Sequence, residues 1–145
     1  MGASSSIANS GAYECVVTRI LNAPRELVFR AWSDPEIRAK WFGPKDFTAT
    51  IIEDDVRPGG AYHFHVRGPN YDDHWRGVYR EVVAPERLVF TWANDTLVTV
   101  TFEDLGATTR LTLRHTGFPA EAIRDEHTHG WSSTLERLGE LLEAA

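Results

Sequence analysis

An α+β fold is predicted for this sequence, an antiparallel sheet with its helices gathered on one face, and three observations predict it. Residues 119–145 carry Ile123, His127, Trp131, Leu135, Leu138 and Leu142 at intervals of four, four, four, three and four, a helical period with one core-facing stripe. Residues 61–67 instead alternate, Tyr62, Phe64 and Val66 toward one face and His63, His65 and Arg67 toward the other, the period of a strand. Between the first strand-like run and that long helix come two short helical patterns and six further strand-like runs joined by turn residues. Consecutive hairpins make an antiparallel sheet, and a helix of roughly 36 to 40 Å at 1.5 Å per residue needs a cover of that breadth.

Tyr13–Leu21 is rich in β-branched residues and opens the fold as a strand. Asn22, Ala23 and Pro24 then start a helix, with Pro24 at its first position and Leu27, Val28, Ala31 and Trp32 on its buried side. Asp34 caps a second short helix with Ile37 and Trp41 one turn apart, and Gly43 with Pro44 ends it. Residues 47–55 are a second strand. Arg57, Pro58, Gly59 and Gly60 form a turn that leads into the alternating run 61–67. Residues 68–72 are a loop, after which 74–83 returns beside 61–67. With the hairpin centred there, Trp75, Gly77 and Tyr79 share the face of Tyr62 and Phe64, while His74 and Arg76 join His63 and His65 outside. Strands at 88–92, 97–103 and 108–116 follow. Val98, Val100, Phe102, Leu111, Leu113 and His115 point inward, and Asn94, Asp95 and Gly106 supply the turns. In the terminal helix Glu121 suits the positive N-terminal end, and Ser132, Ser133, Glu136 and Arg137 fall on the solvated side.

At 145 residues, 42% hydrophobic and 25% charged, the chain is long enough for one core and too short for two; residues 1–11 read as a flexible leader and 12–145 as the domain. A net charge of −6 without any Lys/Arg cluster disfavours nucleic acid and anionic membrane surfaces. Cys15 is the one cysteine, so there is no disulfide framework and no CxxC knuckle, and a reduced, cytoplasmic setting is expected. Met1 through Ser6 match a loose myristoylation pattern, for which a flexible tail is the simpler reading. The expected state is a monomer or homodimer.

Many short motifs occur in a recognisable order. They include Ala23 to Phe29 with Ala31 and Trp32, Asp34-Pro35-Glu36, Trp41-Phe42-Gly43-Pro44, Arg57-Pro58-Gly59-Gly60, and Gly77-Val78-Tyr79 with Glu81. Further along stand Pro85 to Val89, Val98 to Glu103, Thr109 to Leu113 with His115, and Gly130-Trp131 before Leu135 and Leu138. Over about residues 13–142 this resembles the helix-grip fold of the START-like superfamily. More narrowly it is similar to the family named for homology to the activator of the heat-shock-protein ATPase, which also contains an enediyne-resistance protein. Phe42 stands where that family often has a second Trp. The resemblance implies a curved sheet of six to seven strands wrapped around the C-terminal helix, with a cavity between them.

In such a fold the inward rings would line that cavity, and the ligand-binding set is Trp41, Tyr62, Phe64, Trp75, Tyr79, Trp92, His115, His127 and Trp131. The alternative is that these rings simply fill the core. Gly130, in mid-helix beside Trp131, costs roughly 1 kcal/mol relative to Ala and suggests a bend or a close approach at the cavity mouth. Tyr79, Glu81, His115 and His127 are the inward polar groups and the candidate catalytic residues, although no nucleophile is paired with them and each His can equally be a hydrogen-bonded core residue. His63, His65 and His74 form an exposed trio on neighbouring strands, read as a solvated patch and not a metal site. The expectation is therefore a protein that binds a small apolar or aromatic molecule without metal or tightly bound cofactor. An enzyme of cyclase, aromatase or hydrolase type using the same cavity is second, and a chaperone-interacting protein third.

Overall fold

A computed structural model describes residues 13–144, so the expected leader at 1–11 lies outside the described residues. Strand β1 (Tyr13–Leu21) is followed by α1 (Arg25–Ser33) and α2 (Pro35–Trp41). Six strands come next: β2 (Thr48–Asp54), β3 (Ala61–Gly68), β4 (Tyr71–Val83), β5 (Arg87–Trp92), β6 (Thr96–Asp104) and β7 (Thr109–Phe118). Helix α3 (Glu121–Ala144) closes the chain. One curved antiparallel sheet runs in the order β1-β7-β6-β5-β4-β3-β2, and α3 lies against β1 and β7 and touches α2. Hairpin connections account for every neighbour except β1 beside β7, which brings the two ends of the chain's strand region together under α3.

Local chemistry explains most boundaries. Asp34 accepts a hydrogen bond from the Glu36 amide at 2.9 Å, with Pro35 at the first position, so α2 starts where the cap is. The β3–β4 connection is tighter than the loop expected at 68–72: Gly68 pairs with Tyr71, leaving Pro69 and Asn70 as a two-residue turn with Asn70 at φ 57°. Phe64 pairs with Trp75 and Tyr62 with Gly77, so the predicted register holds. Gly77 is required there, because a Cβ would sit 2.4 Å from the Tyr62 ring that lies across it.

The core between sheet and helices is aromatic and closed. Trp32 meets Trp41 edge to face at 4.8 Å, Phe29 meets Phe102 at 5.2 Å, and Leu135, Leu138 and Leu142 descend from α3 onto the sheet. Three expected inward positions are corrected. Leu27 is exposed and Phe29 takes its place beside Val28, Ala31 and Trp32. Ile123 is exposed, while His127, one turn on, packs on His115 and Phe118 of β7, and the fully buried stripe begins at Trp131. Glu81 faces solvent and is ion-paired with Arg87 at 2.8 Å, because a bulge between Tyr79 and Glu81 adds a residue to β4 and reverses its alternation.

Candidate functional site

A half-open cleft of about 640 Å³ lies beside the first half of β4. β4 follows β3 from Tyr71 onward but pairs with β5 only from Tyr79, and β5 ends at Trp92, so the first half of β4 runs past the end of β5. Trp75 of β4, Trp92 at the end of β5, Phe42 after α2 and Trp131 of α3 wall the cleft, with centroids 5.2 to 6.4 Å apart. Of the nine residues in the sequence-derived ligand set, Tyr62, Trp75, Trp92, His127 and Trp131 line the cleft. Trp41, Phe64, Tyr79 and His115 do not. All four are fully buried behind it: Trp41 packs on Trp32 and Phe42, Phe64 on Phe42, Tyr79 on Tyr62 and Phe90, and His115 on Trp131, long-range contacts that periodicity alone does not express. A Cβ on Gly130 would meet Pro44 at an ordinary 3.9 Å, so the close approach expected there is not present, and α3 is helical on both sides of it.

Two side chains assigned to the solvated face of α3 hold the cleft's other wall. Gly43 O, Pro44 O and Phe47 O converge on Nη1 of Arg137 at 2.9 to 3.1 Å, and Ser133 Oγ accepts from the Lys45 amide at 2.8 Å. Both residues reach sideways to the 43–47 segment, a contact separated by about ninety positions in sequence and invisible to helical periodicity.

Beneath the cleft floor runs a chain of hydrogen bonds. Trp131 Nε1–H donates to His115 Nδ1 at 3.0 Å; His115 Nε2–H then donates to Thr96 Oγ1 at 2.8 Å, and that hydroxyl donates to Ala93 O at 2.8 Å. Only the neutral Nε2–H tautomer completes this chain. Burial, and after it the neighbouring His127, push the His115 pKa down to about 3. The fold therefore keeps His115 neutral while the unfolded chain binds a proton near pH 6.5. Its contribution is complete above pH 6.5 and is lost as pH falls from there toward 3, at about 1.4 kcal/mol per unit. Urea unfolding at pH 6.5 and pH 4.5 is expected to show His115→Asn losing less stability between the two than the wild type; equal losses would mean that His115 is not held neutral.

A second buried polar cluster was not expected. Arg38 is 1% exposed, on the Trp41 side of α2; its Nη1 donates to Tyr79 Oη at 2.8 Å and to Trp32 O at 3.1 Å. Tyr79 Oη–H in turn donates to Asp54 Oδ1 at 2.6 Å, and the rings of Phe42 and Phe64 flank the guanidinium at 4.3 and 4.9 Å. Loss of water raises the Asp54 pKa, more than the Arg38 charge lowers it. Tyr79, a catalytic candidate from sequence, is thus engaged on both sides and away from the cleft.

The histidine patch is a set of side-chain pairs. His63 Nε2 and His74 Nδ1 are 2.7 Å apart, and His65 Nε2 is 2.8 Å from Asp72 Oδ1. Partial loss of hydration, then the charges of Arg76 and His74, lower the His63 pKa. No group of three His, Cys, Asp or Glu among the described residues is arranged to hold a metal ion.

A curved seven-stranded antiparallel sheet gripping a C-terminal helix, with a cleft between them, defines a helix-grip protein. The family model "Activator of Hsp90 ATPase homolog 1-like protein" matches residues 22–143, and the chain belongs to that family. Among solved structures, the crystal structure of a protein from Chromobacterium violaceum is 32% identical, covering 90% of this chain and 98% of that one, with a TM-score of 0.82. A protein from Nitrosomonas europaea is 25% identical over 90% of this chain and 94% of its own, with a TM-score of 0.79. The AHSA1 protein of Silicibacter pomeroyi, 21% identical over 91% and 99% with a TM-score of 0.81, shares the fold. No curated protein matches the chain. No helix among the described residues is long and apolar enough to cross a membrane.

Proposed function

We propose that the cleft binds a small apolar or aromatic molecule. The carrying observation is that Trp75, Trp92, Trp131 and Phe42, packed on one another with centroids 5.2 to 6.4 Å apart, together line an open volume of about 640 Å³. That volume falls within the range of small-molecule sites, which are mostly apolar with a few polar groups. A cytoplasmic setting, suggested by the single free Cys15, belongs to the same proposal.

Binding is expected to raise the melting temperature with the logarithm of ligand concentration, adding about 2.7 kcal/mol of stability at one hundred times Kd. Planar aromatic compounds should also perturb tryptophan fluorescence. Trp75→Leu is the informative variant, since Trp75 lies on the wall with only its Tyr71 hydrogen bond at 2.9 Å, whereas Trp131 also supports His115. Affinity should fall several-fold with a smaller change in stability. A broad aromatic library that shifts neither melting nor fluorescence would refute the proposal.

An enzyme using the same cleft is the second reading, and a specific observation narrows it. Of the four catalytic candidates, Glu81 is outside, Tyr79 and His115 are engaged in the interior, and His127 alone lines the cleft.

A further inference from the structure

Resting on that reading, we propose that the ligand is a peptide-like molecule, an N-acyl amino-acid amide, held by the main chain of Arg76 while its aromatic acyl group enters the cleft. The alternation of β4 fixes where its main chain points. Tyr79 N–H donates to Gly60 O and Tyr79 O accepts from Gly59 N–H, so the odd-numbered residues of β4 bond toward β3, through an unbroken register from Val78 back to Tyr71. Even-numbered residues bond the other way: Val78 N–H reaches Thr91 Oγ1 of β5 at 2.9 Å.

Arg76 comes next on that edge, and β5 has nothing to offer it. Continuing the pairing of Tyr79 with Phe90 would set Arg76 against Ala93, where the chain has already left β5 for the short turn Ala93–Asp95. Among the described residues neither the N–H nor the C=O of Arg76 has a partner. Arg76 and Ala93 line the same cleft, with Trp75 and Trp92 beside them. The Arg76 side chain lies on the opposite face of the sheet, for Arg76 pairs with His63, whose pKa its charge helps to lower, whereas Trp75 pairs with the buried Phe64. What Arg76 turns toward the cleft is therefore its main chain.

That free edge is one residue long. Thr91 closes it at Val78, and at the other end Asp73 Oδ1 takes the His74 N–H at 2.8 Å. An N–H and a C=O of one residue, pointing the same way, match the C=O and N–H of one facing residue, and an edge closed at both ends suits a single such residue better than a strand of protein. Faces alternate along an added residue as along any strand, so the acyl group beside it carries its ring inward, to the side of Trp75.

The test compares phenylacetylglycinamide, the phenylacetate ester of glycolamide, in which oxygen replaces the central N–H, and ethylbenzene, by calorimetry and thermal shift. The amide is expected to bind about tenfold more tightly than the ester, the size of one hydrogen bond. In heteronuclear NMR the Arg76 amide signal should shift, and its hydrogen should exchange more slowly with water, when the amide is added. Equal affinity of amide and ester, or an Arg76 amide that neither shifts nor gains protection, would overturn the inference, and binding of ethylbenzene would then leave the cleft reading intact. Binding of none of the three would overturn the cleft reading, and this inference with it.

Discussion

A chain that ends at His129 is expected to be unfolded. Truncation there removes Trp131, Leu135, Leu138 and Leu142, all buried against the sheet. At about 1.5–3 kcal/mol per fully buried large apolar side chain, those four are worth roughly 6–12 kcal/mol, as much as the whole stability of an ordinary domain. It also takes the donor from His115 Nδ1 and the clamp of Ser133 and Arg137 from the 43–47 segment. Near-UV circular dichroism should lose its native signal and urea unfolding its cooperative step. Ending the chain after Leu142 is expected to leave both, since Glu143 and Ala144 are exposed. A chain ending at His129 that still unfolds cooperatively would show that the sheet does not need its helix.

Arg38→Leu is expected to cost about 3–5 kcal/mol, the usual penalty for stranding one member of a buried ion pair. Asp54, with a fully buried side chain 3.9 Å from the guanidinium, would keep its hydrogen bond from Tyr79 but lose its counter-charge. Its pKa, already raised by burial, should rise further, so the variant should recover stability as pH falls and the carboxyl protonates in the fold more readily than in the unfolded chain. The pH dependence thus runs opposite in sign to that of His115. Pairing Arg38→Leu with Asp54→Asn should restore part of the loss even at neutral pH. Urea denaturation of the two single variants and the double variant decides the matter: strictly additive costs would mean that Arg38 acts by packing alone.

Period, together with cap and turn residues, placed the seven strands and three α-helices, because alternation and four-residue spacing are local consequences of burying one face. The pairing of Phe64 with Trp75 and Tyr62 with Gly77 followed for the same reason, since a slip of one residue would turn the aromatic face to water. Arg38 also left a trace, three residues before Trp41 on the same side of α2, but a charged residue on an apolar stripe carries no mark of the carboxylate that will meet it. Glu81 was misplaced because nothing in its neighbours marks the extra residue of a bulge.

The sequence by itself determined the α+β order, the strand register and the inward aromatic set. Only the tertiary structure decided which of those rings face a cleft: packing on Trp32, Phe42 and Tyr62 closes Trp41, Phe64 and Tyr79 into the core, and β4 running past the end of β5 leaves Trp75 and Trp92 on the cleft. It also decided what His115, Ser133 and Arg137 touch, for their partners lie 16 to 94 residues away in sequence. Local period records which face is buried; how deeply, and against what, depends on which distant elements pack over that face and where each strand ends.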